Sequence, residues 1–172
     1  MTSMMPFAPC RPPEQMPGLT KPIPEVRERL VLRSGGEDLD ALYPWFDAIS
    51  GQLGLPASAA FRIHVVLEEA VTNAVLHGYD PDCSGDVSLE IAATPARVVA
   101  ILRDSGKPFN PLLQSEAPSE PKPVEDALIG GLGLKLMRSY CSALAYQRAD
   151  KTNELTMGFD VDAMAKLVAG DK

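Results

Sequence analysis

Cysteine is scarce in this chain of 172 residues, and Cys10, Cys83 and Cys141 are too few and too scattered for a disulfide framework or a zinc site. An intracellular, reducing compartment, the cytoplasm, is therefore the default expectation. Positive charge is also short. Sixteen Lys and Arg stand against 23 Asp and Glu, for a net charge of −7. That balance argues against binding a phosphate backbone, so no nucleic-acid partner is expected. No apolar run approaches the length of a membrane-spanning helix, and Met1 to Leu19 holds no continuous apolar segment of the secretory kind. No membrane partner is expected either.

What remains is ordinary material for one domain with flanking pieces. The hydrophobic content of 45% is enough for a core. Seven prolines between Pro6 and Pro24 break any regular pattern, so residues 1–24 read as a disordered arm. Residues 25–160 read as the domain, and 161–172 as a tail or short helix. Arg27 to Arg33 is compatible with a first strand, ended by Ser34-Gly35-Gly36. From Glu37 to Leu53 the apolar residues fall at helical spacing, and Pro44 places the main helix start near Tyr43. Trp45 and Phe46 on it read as core.

A second helix opens near Ala57 or Ser58 and runs to about His77, where Gly78 is expected to end it as a C-cap. Glu69, Asn73 and His77 fall four apart on it, each about 40° round the axis from the last. A carboxylate, a carboxamide and an imidazole thus share one stripe. Ile63, Leu67, Ala70, Val71 and Ala74 cover a broad apolar face beside it. A polar stripe hemmed in by apolar residues predicts a polar counterpart opposite.

Asp86 to Ala93 and Arg97 to Leu102 alternate as two strands around Pro95-Ala96, which predicts an antiparallel pair. Asp104-Ser-Gly-Lys-Pro-Phe-Asn-Pro111 follows at the mouth of the sheet. Gly106 there permits a tight turn and close approach by a ligand. Taken alone, this stretch reads first as a Pro-Gly loop with an N-capping Asp. Leu112 to Ile129 has no sustained period, and long connections of that kind are lids, binding loops or disorder. Gly130, Gly131 and Gly133 then precede a helix that carries Leu134, Leu136, Met137 and Tyr140. Glycines at a helix start leave backbone N–H groups open to an anion. Neither the P-loop nor the dinucleotide fingerprint fits them. Cys141 reads as a small core residue. Ala143 to Arg148 and Leu155 to Phe159 read as closing strands around the turn Asp150-Lys-Thr-Asn153, with a short helix over Asp162 to Ala169.

The order of three motifs carries more than any one of them: Glu-x-x-x-Asn on a helix, Asp-x-Gly after a strand, Gly-Gly-Leu-Gly-Leu before a helix. The chain resembles the Bergerat-fold (GHKL) ATPase and kinase superfamily, and within it the anti-sigma-factor serine-protein kinases. Glu69 to Gly78 is similar to their Glu-Ala-Val-x-Asn-Ala-x-x-His-Gly/Ala motif. Asp104 to Pro111 is similar to Asp-x-Gly-x-Pro-Phe-x-Pro, and Asn153 to Thr156 to a closing Asn-x-Leu-Thr strand. The resemblance covers about residues 27–160.

It implies an α+β fold, a two-layer sandwich of Bergerat type, with a mixed, mostly antiparallel sheet packed on three main helices and a flexible ATP lid near 112–129. It implies ATP and Mg²⁺ as cofactors, with Asn73 as an oxygen ligand of the metal and Glu69 as general base. Asp104 is then the acceptor for the adenine amino group, with Gly106, Pro108 and Phe109 around it. Gly130, Gly131, Leu132, Gly133 and Leu134 form the phosphate edge, Thr156 reaches the adenine side, and His77 packs or hydrogen-bonds beneath the site. Lys122 is the one basic residue between Lys107 and the glycine cluster, so transition-state charge would rest on Mg²⁺ and backbone donors.

The activity implied is that of an ATP-dependent serine/threonine kinase in a partner-switching circuit. Its partners would be a sigma factor or similar regulator, and an antagonist protein as substrate; a homodimer is also compatible. A non-catalytic ATP/ADP-binding adaptor of the same fold is the alternative. A histidine-kinase role is disfavoured, because His64 lies within the motif helix and His77 at its end, and neither is placed as a phosphoacceptor.

Overall fold

A computed structural model describes residues 26–113 and 132–169. The proline-rich arm, most of the expected lid, and Gly130 and Gly131 lie outside the described residues. Five strands form one sheet in the order β1-β2-β3-β5-β4: β1 (Val26–Arg33), β2 (Asp86–Thr94), β3 (Arg97–Asp104), β4 (Ala143–Ala149) and β5 (Thr152–Asp160). Every pairing among them is antiparallel, so the expectation of a mixed sheet is corrected. Short hairpins account for two of the pairs, β2–β3 and β4–β5, since a tight turn can only join antiparallel neighbours.

Helices cover one face: α1 (Leu42–Leu53), α2 (Ala57–Thr72), α3 (Leu132–Tyr140) and α4 (Val161–Ala169). A 3₁₀ turn over Leu39–Ala41 precedes α1. Pro44 sits in the first turn of α1, where its missing N–H costs nothing. Gly54 ends that helix in the left-handed conformation, φ 62°.

The strand register explains the core. Leu30, Leu89, Leu102, Leu155 and Tyr146 form one row across the sheet, and Leu32, Val87, Asp104, Asn153 and Arg148 the next. Both rows face the helices. Ile63, Val66, Leu67 and Val71 of α2 meet this face with almost no exposure, alongside Met157 and Phe159. Each such side chain contributes about 1.5–3 kcal/mol by leaving water. Phe46 is buried and Trp45 packs against the core, as their helical spacing predicts. Cys141 also packs there, and burial pushes its thiol up to about 12.

The outer sheet face carries a transverse row of charges. Arg103 lies 2.8 Å from Glu90 and 2.6 Å from Glu154, and Arg29 reaches the other oxygen of Glu90 at 3.7 Å. Partial burial disfavours the guanidinium charge of Arg103, but its hydrogen bonds and charge contacts with Glu90 and Glu154 outweigh that, so its pKa is raised.

Two boundaries differ from the sequence reading in ways that matter for the site. The β4–β5 turn is only Asp150 and Lys151, both at positive φ (48° and 67°). Two left-handed residues make a two-residue hairpin whose twist matches the strands, so Asn153 belongs to β5 and not to the turn. Gly78 has φ −71° and is not a left-handed cap. Its lack of a side chain answers to sterics instead, because a Cβ there would collide with the Ala74 carbonyl oxygen.

Candidate functional site

The stripe residues lie where α2 changes its winding. Its α-helical part ends at Thr72, and Asn73–His77 continues as one turn of π-helix. Such insertions occur often at functional sites because they re-aim side chains without breaking the helix. Asn73 Nδ2 donates to Glu69 Oε1 at 3.0 Å. A carboxylate only accepts, so the amide nitrogen of Asn73 must face Glu69 and its carbonyl oxygen is the group presented elsewhere.

A cavity of about 240 Å³ opens between this helix and the sheet. Asn73, Ala74, His77 and Gly78 line its helix side; Leu102, Asp104, Asn153 and Leu155 line its sheet side. Pro108 and Phe109 close one edge, with Phe109 standing 44% exposed. The walls are mostly apolar with a carboxylate set into them, which suits a flat heteroaromatic ring with one hydrogen-bonding edge.

Asp104 is the last residue of β3, not a loop residue beyond it. Its Oδ1 accepts from the Gly106 N–H at 2.9 Å and from Asn153 Nδ2 at 2.8 Å. Gly106 is packed so tightly that a Cβ there would meet the Gly78 carbonyl oxygen. That same oxygen accepts from the Lys107 N–H at 2.7 Å. The loop after β3 and the end of the motif helix are thus tied backbone to backbone. Tyr79 reinforces the tie: its hydroxyl accepts from the Ser105 N–H and donates to the Asp86 carbonyl, each at 3.1 Å. Lys107 Nζ also lies 2.6 Å from Asp80, although both side chains are half exposed and water screens the pair.

At the other end of Glu69 stands Gly133. It lies in the first turn of α3, not ahead of that helix as the sequence reading placed it. A Cβ on Gly133 would fall directly on the Glu69 carboxylate. The helix start and the acidic side chain are therefore in contact, and any side chain at 133 would have to displace that of Glu69.

The structure brings together Glu69, Asn73, His77, Asp104, Gly106, Pro108, Phe109 and Gly133 around one cleft. Leu134 instead turns into the protein, 8% exposed. Leu132 opens α3. Thr156 is not at the cleft. It pairs with Ile101 and Ala145, in the row of Arg29 and Glu90 on the outer sheet face. Side chains alternate along a strand, so a cleft lined by Asn153 and Leu155 leaves Thr156 on the far side.

Sequence reasoning missed Asn153, Tyr146, Leu155 and Leu102 as cleft residues. The signal was present in the closing Asn-x-Leu-Thr stretch, had Asn153 been counted inside the strand. A two-residue turn at Asp150-Lys151 would have put Asn153 and Leu155 on the face of Asp104.

Comparison with known proteins gives concordant results. Residues 34–159 match the family described as the histidine kinase-like ATPase domain. The chain is 34% identical over 118 residues to the serine/threonine-protein kinase BtrW of Bordetella bronchiseptica, covering 69% of this chain and 82% of that one. It is 30% identical over 100 residues to the anti-sigma F factor of Shouchella clausii, covering 56% of this chain and 66% of that one. A solved structure of the RsbU and RsbW domains of a Mycobacterium tuberculosis protein superposes with a TM-score of 0.57 over 80% of this chain and 33% of that chain, at 18% identity. That last likeness concerns the fold.

Proposed function

The chain belongs to the histidine kinase-like ATPase domain family, and on that premise we propose that it is a protein serine/threonine kinase that binds ATP and Mg²⁺ in this cleft. The single observation that carries the reading is the Glu69–Asn73 pair. It offers two different functions one helical turn apart: a carboxylate that can accept a proton, and a carboxamide oxygen left open to a cation. A hard divalent ion takes such an oxygen and fills its other positions with water and phosphate. The rest of the cleft fits the nucleotide as well. Asp104 is an acceptor in an apolar slot, and the glycine at 133 lets the start of α3 close on Glu69.

Bound ATP supplies the transferable phosphoryl group, with Mg²⁺ offsetting its charge. Asp104 would read the amino edge of the base, Asn73 would hold the metal through its amide oxygen, and Glu69 would accept the proton of the attacking serine hydroxyl. Catalysis then rests on positioning more than on covalent chemistry of the protein. The relatives' names supply the partner classes: a kinase that modifies proteins, and a factor that opposes a sigma factor. This chain accordingly binds a sigma factor or a similar regulator, and phosphorylates an antagonist protein on serine.

Incubating the full chain with labelled ATP, Mg²⁺ and a candidate antagonist tests the reading. Label should appear on an antagonist serine. Glu69→Gln should keep ATP binding and lower transfer by at least about 10²-fold. If wild type and variant both bind ATP and neither transfers label, the protein is an adaptor. Failure of the wild type to bind any adenine nucleotide removes the assignment of this cleft.

A further inference from the structure

Asn153 is 5% exposed and is hydrogen-bonded on every side. Its Nδ2 donates to Asp104 Oδ1 and to the Lys107 carbonyl, each at 2.8 Å. Its Oδ1 accepts from the Tyr146 hydroxyl at 2.7 Å and from Arg148 Nη1. Arg148 Nη1 donates also to the Gly106 carbonyl at 3.1 Å. The amide cannot be turned over. Asp104 and the Lys107 carbonyl only accept, and the guanidinium only donates, so nitrogen must face the first pair and oxygen the second. All four hydrogen-bonding positions of the carboxamide are thereby used.

One consequence falls on Asp104. Its Oδ1 takes two N–H donors, from Asn153 and from Gly106, so that oxygen is committed to the protein as an acceptor. Oδ2 is the oxygen left for the cleft, and it presents an acceptor. Asn153 itself lines the cleft at the same end.

We propose that Asn153, locked by Tyr146 and Arg148, is a positioning residue that holds Asp104 as a fixed acceptor and so sets the preference for a 6-amino over a 6-oxo purine nucleotide. The inference rests on the reading of this cleft as the nucleotide site. An amino group at position 6 donates to a carboxylate. A 6-oxo group can only accept, and it meets the same carboxylate as an unpaired acceptor facing another, which is costly in an apolar slot. The discrimination persists only while Asp104 is kept aimed, and the four-bond amide aims it.

The test compares the binding of ATP and of inosine triphosphate, which carries an oxo group at position 6 and with it a hydrogen on N1. Titration calorimetry on the full chain with Mg²⁺ gives both dissociation constants. Wild type should prefer ATP by at least about tenfold, the value of one hydrogen bond lost. Asn153→Asp replaces the Nδ2 donor to Asp104 Oδ1 with a second carboxylate oxygen, which repels it. Asp104 then loses its fixed aim. The ATP preference should fall to within about twofold of parity. A role confined to stability would lower melting temperature and both affinities together, without moving the ratio.

Tyr146→Phe removes one bond to Asn153 Oδ1 with little change of shape. It should narrow the ratio by a few-fold, and it keeps the test open if Asn153→Asp does not fold. An unchanged ratio in each folded variant overturns the role of Asn153 while leaving the site assignment standing. Binding of neither nucleotide by the wild type removes both.

Discussion

Glu69 and Asn73 are hydrogen-bonded at 3.0 Å across the point where α2 passes from α to π winding. The bond makes the carboxylate an orienting partner for the amide, beside its proposed role as proton acceptor. Asn73→Ala should therefore remove the proposed metal ligand and leave the helix in place. Titration calorimetry with ATP should show the affinity in Mg²⁺ dropping to within about threefold of that in EDTA. Stability should fall by about 1 kcal/mol, the net worth of one partly buried hydrogen bond.

Gly133→Ala places a methyl group on the Glu69 carboxylate. The side chain can move aside, so folding should survive, but the proton acceptor leaves its position. Single-turnover transfer should slow by about 10²-fold, the usual cost of misplacing a reacting group by an ångström. Melting temperature should change little.

Gly106→Ala is a harsher change, because the obstruction is the backbone carbonyl of Gly78 and cannot rotate away. ATP binding should be lost to below detection. Far-ultraviolet dichroism should still report the sheet, because the strain is confined to the loop after β3.

Arg103→Met should leave nucleotide affinity unaltered and lower stability by about 1 kcal/mol in urea titration. The loss should shrink in 1 M salt. Arg103 sits between Glu90 and Glu154 on the sheet face away from the cleft, and removing it brings two partly exposed carboxylates face to face across β3.

Cys141 ionises only near pH 12 in the folded protein because burial disfavours the thiolate. An unfolded thiol ionises near 9, so stability is unaffected below pH 9 and declines from 9 toward 12 as the unfolded chain gains the charge. At pH 8 its thiolate fraction is about a thousandfold below that of an unperturbed thiol. Brief alkylation followed by peptide mapping should find label on the exposed Cys83 and none on Cys141. Both should label in urea.

The elements that sequence periodicity could report were legible. The apolar spacing of α1 and α2 and the alternation of β2 and β3 are local, and the structure places each within two residues of its expected bounds once the π turn Asn73–His77 is counted with α2. The order of the motif residues was enough to bring Glu69, Asn73, Asp104 and Gly133 to one cleft. The failures came where a non-local relation decides. Thr156 and Asn153 belong to the same short motif, and only the register of β5 against β3 says which of them faces the helices. That register follows from a turn of two left-handed residues, Asp150 and Lys151, neither of them glycine. Nothing in the composition of Asp-Lys-Thr-Asn marks where the turn stops. Gly78 likewise looked like a helix cap, yet its neighbour in space is Gly106, 28 positions further along, and no local pattern reports such an approach.

The contact between those two glycines bears on how the protein can change. The seat expected for the base and the seat expected for the metal are joined by a backbone hydrogen bond, from the Lys107 N–H to the Gly78 carbonyl. A main-chain link is indifferent to side-chain identity, so substitutions nearby can retune the cleft walls while the spacing of the two seats stays constant. A side chain at position 106, or a proline at 107, would alter it. The interval between base and phosphates of a nucleotide is also invariant, and the fold holds its matching dimension in the one part of the chain that ordinary sequence drift does not touch.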